Sequence, residues 1–73
     1  MDAAQIIACL NALGVGERET VRARLSEARE ACRRLEPELA LKLDEAERAL
    51  ATADLRTFRK RVETVIARLG HLK

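Results

Sequence analysis

The stretch Thr20 to Leu35, TVRARLSEAREACRRL, places Val21, Leu25, Ala28, Cys32 and Leu35 at alternating steps of four and three residues. Those steps put all five side chains on one side of an α-helix, whereas a strand would need apolar residues at every second position. A second stretch, Thr57 to Leu72, TFRKRVETVIARLGHL, repeats the pattern through Phe58, Val62, Val65, Leu69 and Leu72, and Leu55 extends it one step towards the N-terminus. Each is the narrow seam of a helix that packs in a bundle.

Sliding the chain by thirty-seven residues lays one seam on the other, Val21 on Phe58 and Leu35 on Leu72, with Thr20-Val21-Arg22-Ala23-Arg24-Leu25 over Thr57-Phe58-Arg59-Lys60-Arg61-Val62 and Leu13 over Leu50. The match describes two helical hairpins, residues 2–35 and 37–72, each a shorter helix followed by a longer one. In the second hairpin Leu39, Leu43, Ala46 and Leu50 form the seam of the shorter helix, and Leu41 projects from its opposite side. In the first hairpin the stripe is Ala3, Ile6, Ile7, Leu10 and Leu13, with Cys9 at its edge.

Punctuation marks the boundaries. Asp2 followed three residues later by Gln5 is the signature of a capping box, and Gly14 is the expected stop of helix 1. Gly16 with Glu17 and Glu19 suits a second start, because carboxylates in a first turn oppose the positive end of the helix dipole. Pro37 fits the first position of a third helix, where its missing N–H costs nothing. The same proline also allows a single kinked helix through Glu36. Asp54 is the expected N-cap of helix 4 and Gly70 its expected stop. The predicted fold is therefore all-α, one domain over residues 1–73, four short helices in two hairpins that close as an antiparallel bundle, completed by dimerisation if the core is too small. The turn Ala49-Leu50-Ala51-Thr52-Ala53-Asp54 resembles that of a tetratricopeptide unit, but Phe58 stands where that family has Ala and Glu45 where it has Leu. Two hairpins are also fewer than such stacks need, so the resemblance carries no function to this chain.

Charge is distributed unevenly. The chain has 14 Lys and Arg and 12 Asp and Glu, and of these only Asp2 lies within residues 1–16. Segment by segment the net charge is −1 for 1–16, +2 for 17–35, −3 for 36–53 and +4 for 54–73. An acidic third segment between two basic ones is expected to be neutralised by them on packing. Within helices, Glu30 with Arg34, Glu38 with Lys42 and Asp44 with Arg48 have the spacing of supporting ion pairs.

A charge-free first helix in a chain of 73 residues, too short to bury much apolar area, suggests a contact outside the chain. The expected function is a small helical protein–protein interaction module, whether adaptor, chaperone or assembly subunit. It would bind a protein partner or its own copy as a homodimer through Ala4, Ile7, Ala8, Cys9 and Asn11 on helix 1 and Leu41 on helix 3. The alternative is a nucleic-acid-binding regulator that uses the duplicated Arg-X-Arg, Arg22 with Arg24 and Arg59 with Arg61, together with Lys60. Against it, carboxylates interrupt both ridges, and Phe58 is the only aromatic residue in the chain.

No catalytic residue is expected. His71 is the single histidine and lies near the C-terminus, and no phosphate-binding glycine loop or serine elbow is present. Neither cofactor nor metal is expected, since one histidine and two separated cysteines give no zinc spacing. Helical rise places Cys9 and Cys32 too far apart to bridge. The apolar run at 3–13 is about half a bilayer span and no basic residue precedes it, so a cytoplasmic chain with reduced thiols and no membrane contact is expected.

Overall fold

A computed structural model describes residues 2–13 and 17–72. Four helices follow one another, α1 (Ala3–Asn11), α2 (Arg18–Leu35), α3 (Pro37–Ala51) and α4 (Leu55–Leu72), and the described residues contain no strand. Packing contacts join α1 to α2, α2 to α3, α3 to α4 and α4 back to α1, with none across either diagonal. The four helices therefore form a closed ring around one core, and the two hairpins do not lie open. The Cα radius of gyration of 10.9 Å agrees with about 11 Å for a compact domain of this length.

The helix starts follow the local chemistry. Asp2 Oδ1 accepts the Gln5 N–H at 2.8 Å while Gln5 Oε1 accepts the Asp2 N–H at 2.9 Å, a complete capping box. Glu17 precedes α2 without a side-chain cap, and Glu19 supplies the acidic first turn. Glu36 takes extended backbone angles, φ −152° and ψ 103°, and Pro37 opens α3, so the kinked single helix is not formed. The residue before a proline is pushed out of the helical region, which is why the break falls at Glu36. Asp54 Oδ1 accepts the Thr57 N–H at 3.2 Å and caps α4.

One expected stop lies outside the described residues and another differs from expectation. Gly14, like the start expected at Gly16, lies outside the described residues; α1 ends with Ala12 as its C-cap. At the other end α4 runs through Gly70 to Leu72. A glycine closes a helix by turning left-handed, and the Gly70 backbone does not.

Instead, the left-handed residue is Ala53, with φ 61°. Its N–H donates to the Leu50 carbonyl at 3.1 Å, and the next N–H, of Asp54, donates to the Ala49 carbonyl at 2.8 Å. These are the paired bonds of a Schellman motif, built with alanine where glycine is usual, and they satisfy carbonyls that the end of α3 leaves open.

The core is one contiguous cluster, and among the described residues no polar or charged side chain is buried. Ile6 and Leu10 of α1, Leu25, Ala28 and Cys32 of α2, Leu39, Leu43 and Ala46 of α3, and Val65 and Leu69 of α4 lie at its centre. The repeat holds here: Leu25, Ala28 and Cys32 are buried, as are Val62, Val65 and Leu69. At the ends of the seams it fails. Leu35 is 47% exposed and Leu55 57% exposed, and the Leu72 side chain lies outside the described residues. At Leu35 the physical reason is unequal length: the nine residues of α1 span about 13 Å and the eighteen of α2 about 27 Å, so the last turn of α2 lacks a fourth wall. Leu55, by contrast, opens α4 at the end of the bundle that α1 does reach.

Charge pairing follows the order of the segments. Arg29 of α2 reaches α3, its Nη1 donating to Asp44 Oδ1 at 3.2 Å and Glu47 Oε2 at 2.7 Å. From the other side, Arg61 Nε of α4 lies 2.8 Å from Glu45 Oε2, an ion pair whose N–H is not directed for a hydrogen bond. Arg68 lies 3.4 Å from Glu36 and 3.6 Å from Glu38. Acidic α3 is thus clamped by basic neighbours on both flanks. Within single helices Asp44 pairs with Arg48 as its spacing predicts, but Glu30 takes Arg33 instead of Arg34, and Glu38 takes Arg68 across the bundle instead of Lys42. No described helix is long and apolar enough to cross a membrane.

Candidate interaction surface

The residues expected to contact a partner do not form one surface. Ala4, Ala8 and Asn11 are exposed on the back of α1. Ile7 is half-buried and packs against the core, so it serves the fold first. Cys9 is also half-buried, and its Sγ donates to the Arg24 carbonyl at 3.5 Å across the α1–α2 contact. Leu41 is 65% exposed, on the side opposite its seam as expected. It lines a shallow groove with Arg33 and Pro37 beside α2, on the one helix that α1 does not touch. What remains of the α1 surface is Ala4, Gln5, Ala8 and Asn11, small or polar side chains that bury little apolar area. The stripe Ile6, Leu10 and Leu13 is buried by the chain's own helices.

Nor do the residues of the nucleic-acid reading come together. Arg24 Nη1 donates to the Ala12 carbonyl at 3.0 Å, closing the C-terminus of α1, which has no basic residue in its own last turn. Arg61 belongs to Glu45. Spacing explains both outcomes, because residues two apart on a helix point to different sides and each Arg-X-Arg must split. Arg22, Arg59 and Lys60 are exposed, but α2 and α4 stand diagonally across the bundle. Of the other α2 arginines, Arg29 is held by Asp44 and Glu47 of α3 and Arg33 by Glu30.

A different surface emerges at the start of α4. Exposure falls along the helix from Leu55 at 57%, through half-buried Phe58, to Val62 at 7%. Among the described residues an apolar groove of about 480 Å³ opens at this end of the bundle. Leu10 and Leu13 from α1, Val21 from α2 and Leu50 from α3 form its floor beside Phe58 and Val62, and Leu55, Arg59 and Glu63 form its rim. A second depression of about 410 Å³ adjoins it along α4, sharing Leu55, Arg59 and Glu63 and adding Arg56 and Lys60. Among the described residues, Arg56, Arg59 and Lys60 stand within ion-pairing distance of no carboxylate; Glu63 shares their face without pairing.

Two signals for this place lie in the sequence. Arg56, Arg59, Lys60 and Glu63 share one helical face by spacing alone, and segment 54–73 carries +4 against the −3 of segment 36–53. The exposure of Leu55 and Phe58 has no such signal. Both continue the apolar seam, and only the position of the bundle's end shows that the seam outruns its cover.

The reactive groups are separate from this surface. Cys32 is fully buried, and burial, with the Glu36 charge adding to it, pushes its thiol up to about 11. Burial also raises the Cys9 thiol, helped by the Glu27 charge and opposed by Arg24. Neither thiol is activated as a nucleophile. Both cysteines are free, as the separation argument predicts. His71 is exposed in the last turn of α4. Among the described residues no group of His, Cys, Asp and Glu has the geometry of a metal site.

Comparison with protein-family models, with curated proteins and with solved structures found no match to this chain.

Proposed function

We propose that this chain is a small helical protein–protein interaction module that acts by binding, without catalysis of its own. One observation carries the reading: the bundle is closed and charge-paired along its length, yet at the start of α4 it leaves an apolar groove open beside Leu55 and Phe58. An exposed apolar recess rimmed by polar side chains is the ordinary form of a binding surface. The reactive groups add support, since two thiols raised above their usual range and one exposed histidine offer no nucleophile held by a base. The nucleic-acid reading loses Arg24 and Arg61 to contacts inside the bundle, and with them the duplicated Arg-X-Arg that motivated it.

A photo-crosslinking amino acid placed at Leu55 and, as a control, at exposed Ala23 of α2 tests the reading in the source cell. A discrete protein adduct at position 55 that is absent at position 23 is the expected result. No adduct at 55, or the same adducts at both positions, removes it.

A further inference from the structure

We infer that the groove at the start of α4 receives an acidic amphipathic helix, whose apolar side chains enter beside Leu55 and Phe58 while its carboxylates meet Arg56, Arg59 and Lys60. The inference rests on the binding reading above and names the chemistry of the partner.

Charge complementarity fixes the sign. The other interhelical basic side chains are already committed: Arg29 to Asp44 and Glu47, Arg61 to Glu45, Arg68 to Glu36 and Glu38, and Arg24 to the α1 terminus. Among the described residues Arg56, Arg59 and Lys60 make no ion pair, although Glu63 shares their face, and they stand beside the apolar groove. A partner that covers this surface must bring negative charge or leave three cations facing it unpaired.

Spacing fixes the form. Positions 56, 59 and 60 are i, i+3 and i+4, one stripe along a helix flanking the groove. A partner helix with carboxylates along one edge of its apolar face matches a stripe and a groove that run side by side, the helix-in-groove mode of recognition. A nucleic acid fits less well, since a phosphate backbone over the cations would also cover Glu63 and exposed Leu55. A membrane fits less well too, because the apolar surface apart from Leu55 is recessed, with Val62 only 7% exposed at its floor. A second copy offers Leu35, adjoining Arg34, and Leu41, whose groove holds Arg29 and Arg33 beside Asp44, and a dimer is the competing outcome of the test.

The test uses three fluorescent synthetic peptides with one helical design: leucines at i, i+3, i+4 and i+7 flanked by glutamates, the same peptide with Gln for Glu, and the acidic peptide with Ser for Leu. Anisotropy titrations against the full chain are expected to show binding of the acidic leucine peptide. The Gln peptide should bind about tenfold more weakly, the product of three exposed ion pairs at roughly twofold each. The Ser peptide should be weaker again. The triple variant Arg56→Glu, Arg59→Glu, Lys60→Glu should lose the acidic peptide and gain one carrying Lys for Glu, while Leu55→Ser should weaken binding of every leucine peptide. All four positions are exposed, so circular dichroism of each variant should match the native chain.

Equal affinity for the Glu and Gln peptides, or indifference to the triple charge reversal, overturns the inference. So does tighter binding to phosphatidylserine vesicles or to a single-stranded oligonucleotide than to the acidic peptide, or a concentration-dependent dimer that the peptide does not dissociate. If the acidic peptide fails while the crosslinker at position 55 still yields its adduct, the charge assignment falls and the binding reading stands; if both fail, both fall.

Discussion

Replacing Ala53 by glycine should stabilise the fold, against the usual effect of that change. Ala53 holds φ 61° at the end of α3, where its N–H and that of Asp54 close the Schellman bonds. For an L-residue with a Cβ the left-handed conformation costs about 1–2 kcal/mol, which glycine does not incur. Glycine returns part of this, about 0.4–1 kcal/mol, by freeing the unfolded chain. The exposed Ala53 methyl has little packing to lose. A net gain of about 0.5–1 kcal/mol remains, equivalent to about 3–7 °C in Tm for a domain of this size. Exposed Ala67, inside α4, provides the matched control, because there the same substitution should cost about 1 kcal/mol. Thermal unfolding followed by circular dichroism reads both variants. Opposite signs for the two are required; a loss of stability at Ala53→Gly comparable to that at Ala67→Gly would refute the assignment of the α3 terminus.

Three further outcomes follow from the core, the thiols and a cap. Leu43→Ala, at a fully buried position, should cost about 3 kcal/mol or more in urea unfolding, most of the stability available to a domain this small, and a loss below about 1 kcal/mol would mean the ring of helices is not closed around it. Iodoacetamide at mildly alkaline pH should modify Cys9 well before Cys32, whose buried thiol, raised to about 11, becomes reactive only on unfolding; equal rates measured by mass spectrometry would contradict the burial. The Asp54 carboxyl is held below the usual carboxylate range by hydrogen bonds from the Thr57 hydroxyl and N–H. A group lowered on folding contributes stability above its unfolded value and loses it as pH falls through the lower folded one, so Asp54→Asn should flatten the acid limb of the stability curve below about pH 4. An unchanged limb would show that the cap adds nothing.

The elements were legible where one local interaction decides them. Asp2 with Gln5, Pro37 and Asp54 each satisfy or remove a backbone donor within one turn, and no distant residue competes. The seams were legible through their centres because buried neighbours on all sides hold Leu25, Leu43 and Val65 to the helical period. So was the neutralisation of acidic α3, since adjacent hairpin helices must lie side by side. The ends were not legible. Leu35 and Leu55 carry the same spacing as their buried counterparts; Leu35 is exposed because the short α1 does not reach the end of α2, and Leu55 because it opens α4 at the end of the bundle.

The expected partner residues do not form one patch, for a related reason. Ile7 and Cys9 look available when α1 is considered alone, but α2 and α4 both pack on it, and Leu41 belongs to the helix across the diagonal. Arg24 could not be recognised as a terminator of α1 from its own neighbours, since the carbonyl it serves is twelve residues away. Gly70 misled through its residue type. It ends a helix only when the chain turns left-handed, and here α4 continues. The groove lies where the ends of all four helices meet, an arrangement that only the packed bundle shows, whereas the spacing of its cations lies in the sequence.

Titration of the isotope-labelled chain with the acidic leucine peptide, followed through its backbone amide chemical shifts, tests the binding surface most directly. Saturable shifts confined to residues 55–63 and to Leu10, Leu13, Val21 and Leu50 are predicted. Shifts centred on Ala4, Ala8 and Asn11, or on the Leu41 groove, with the start of α4 unmoved, would contradict it.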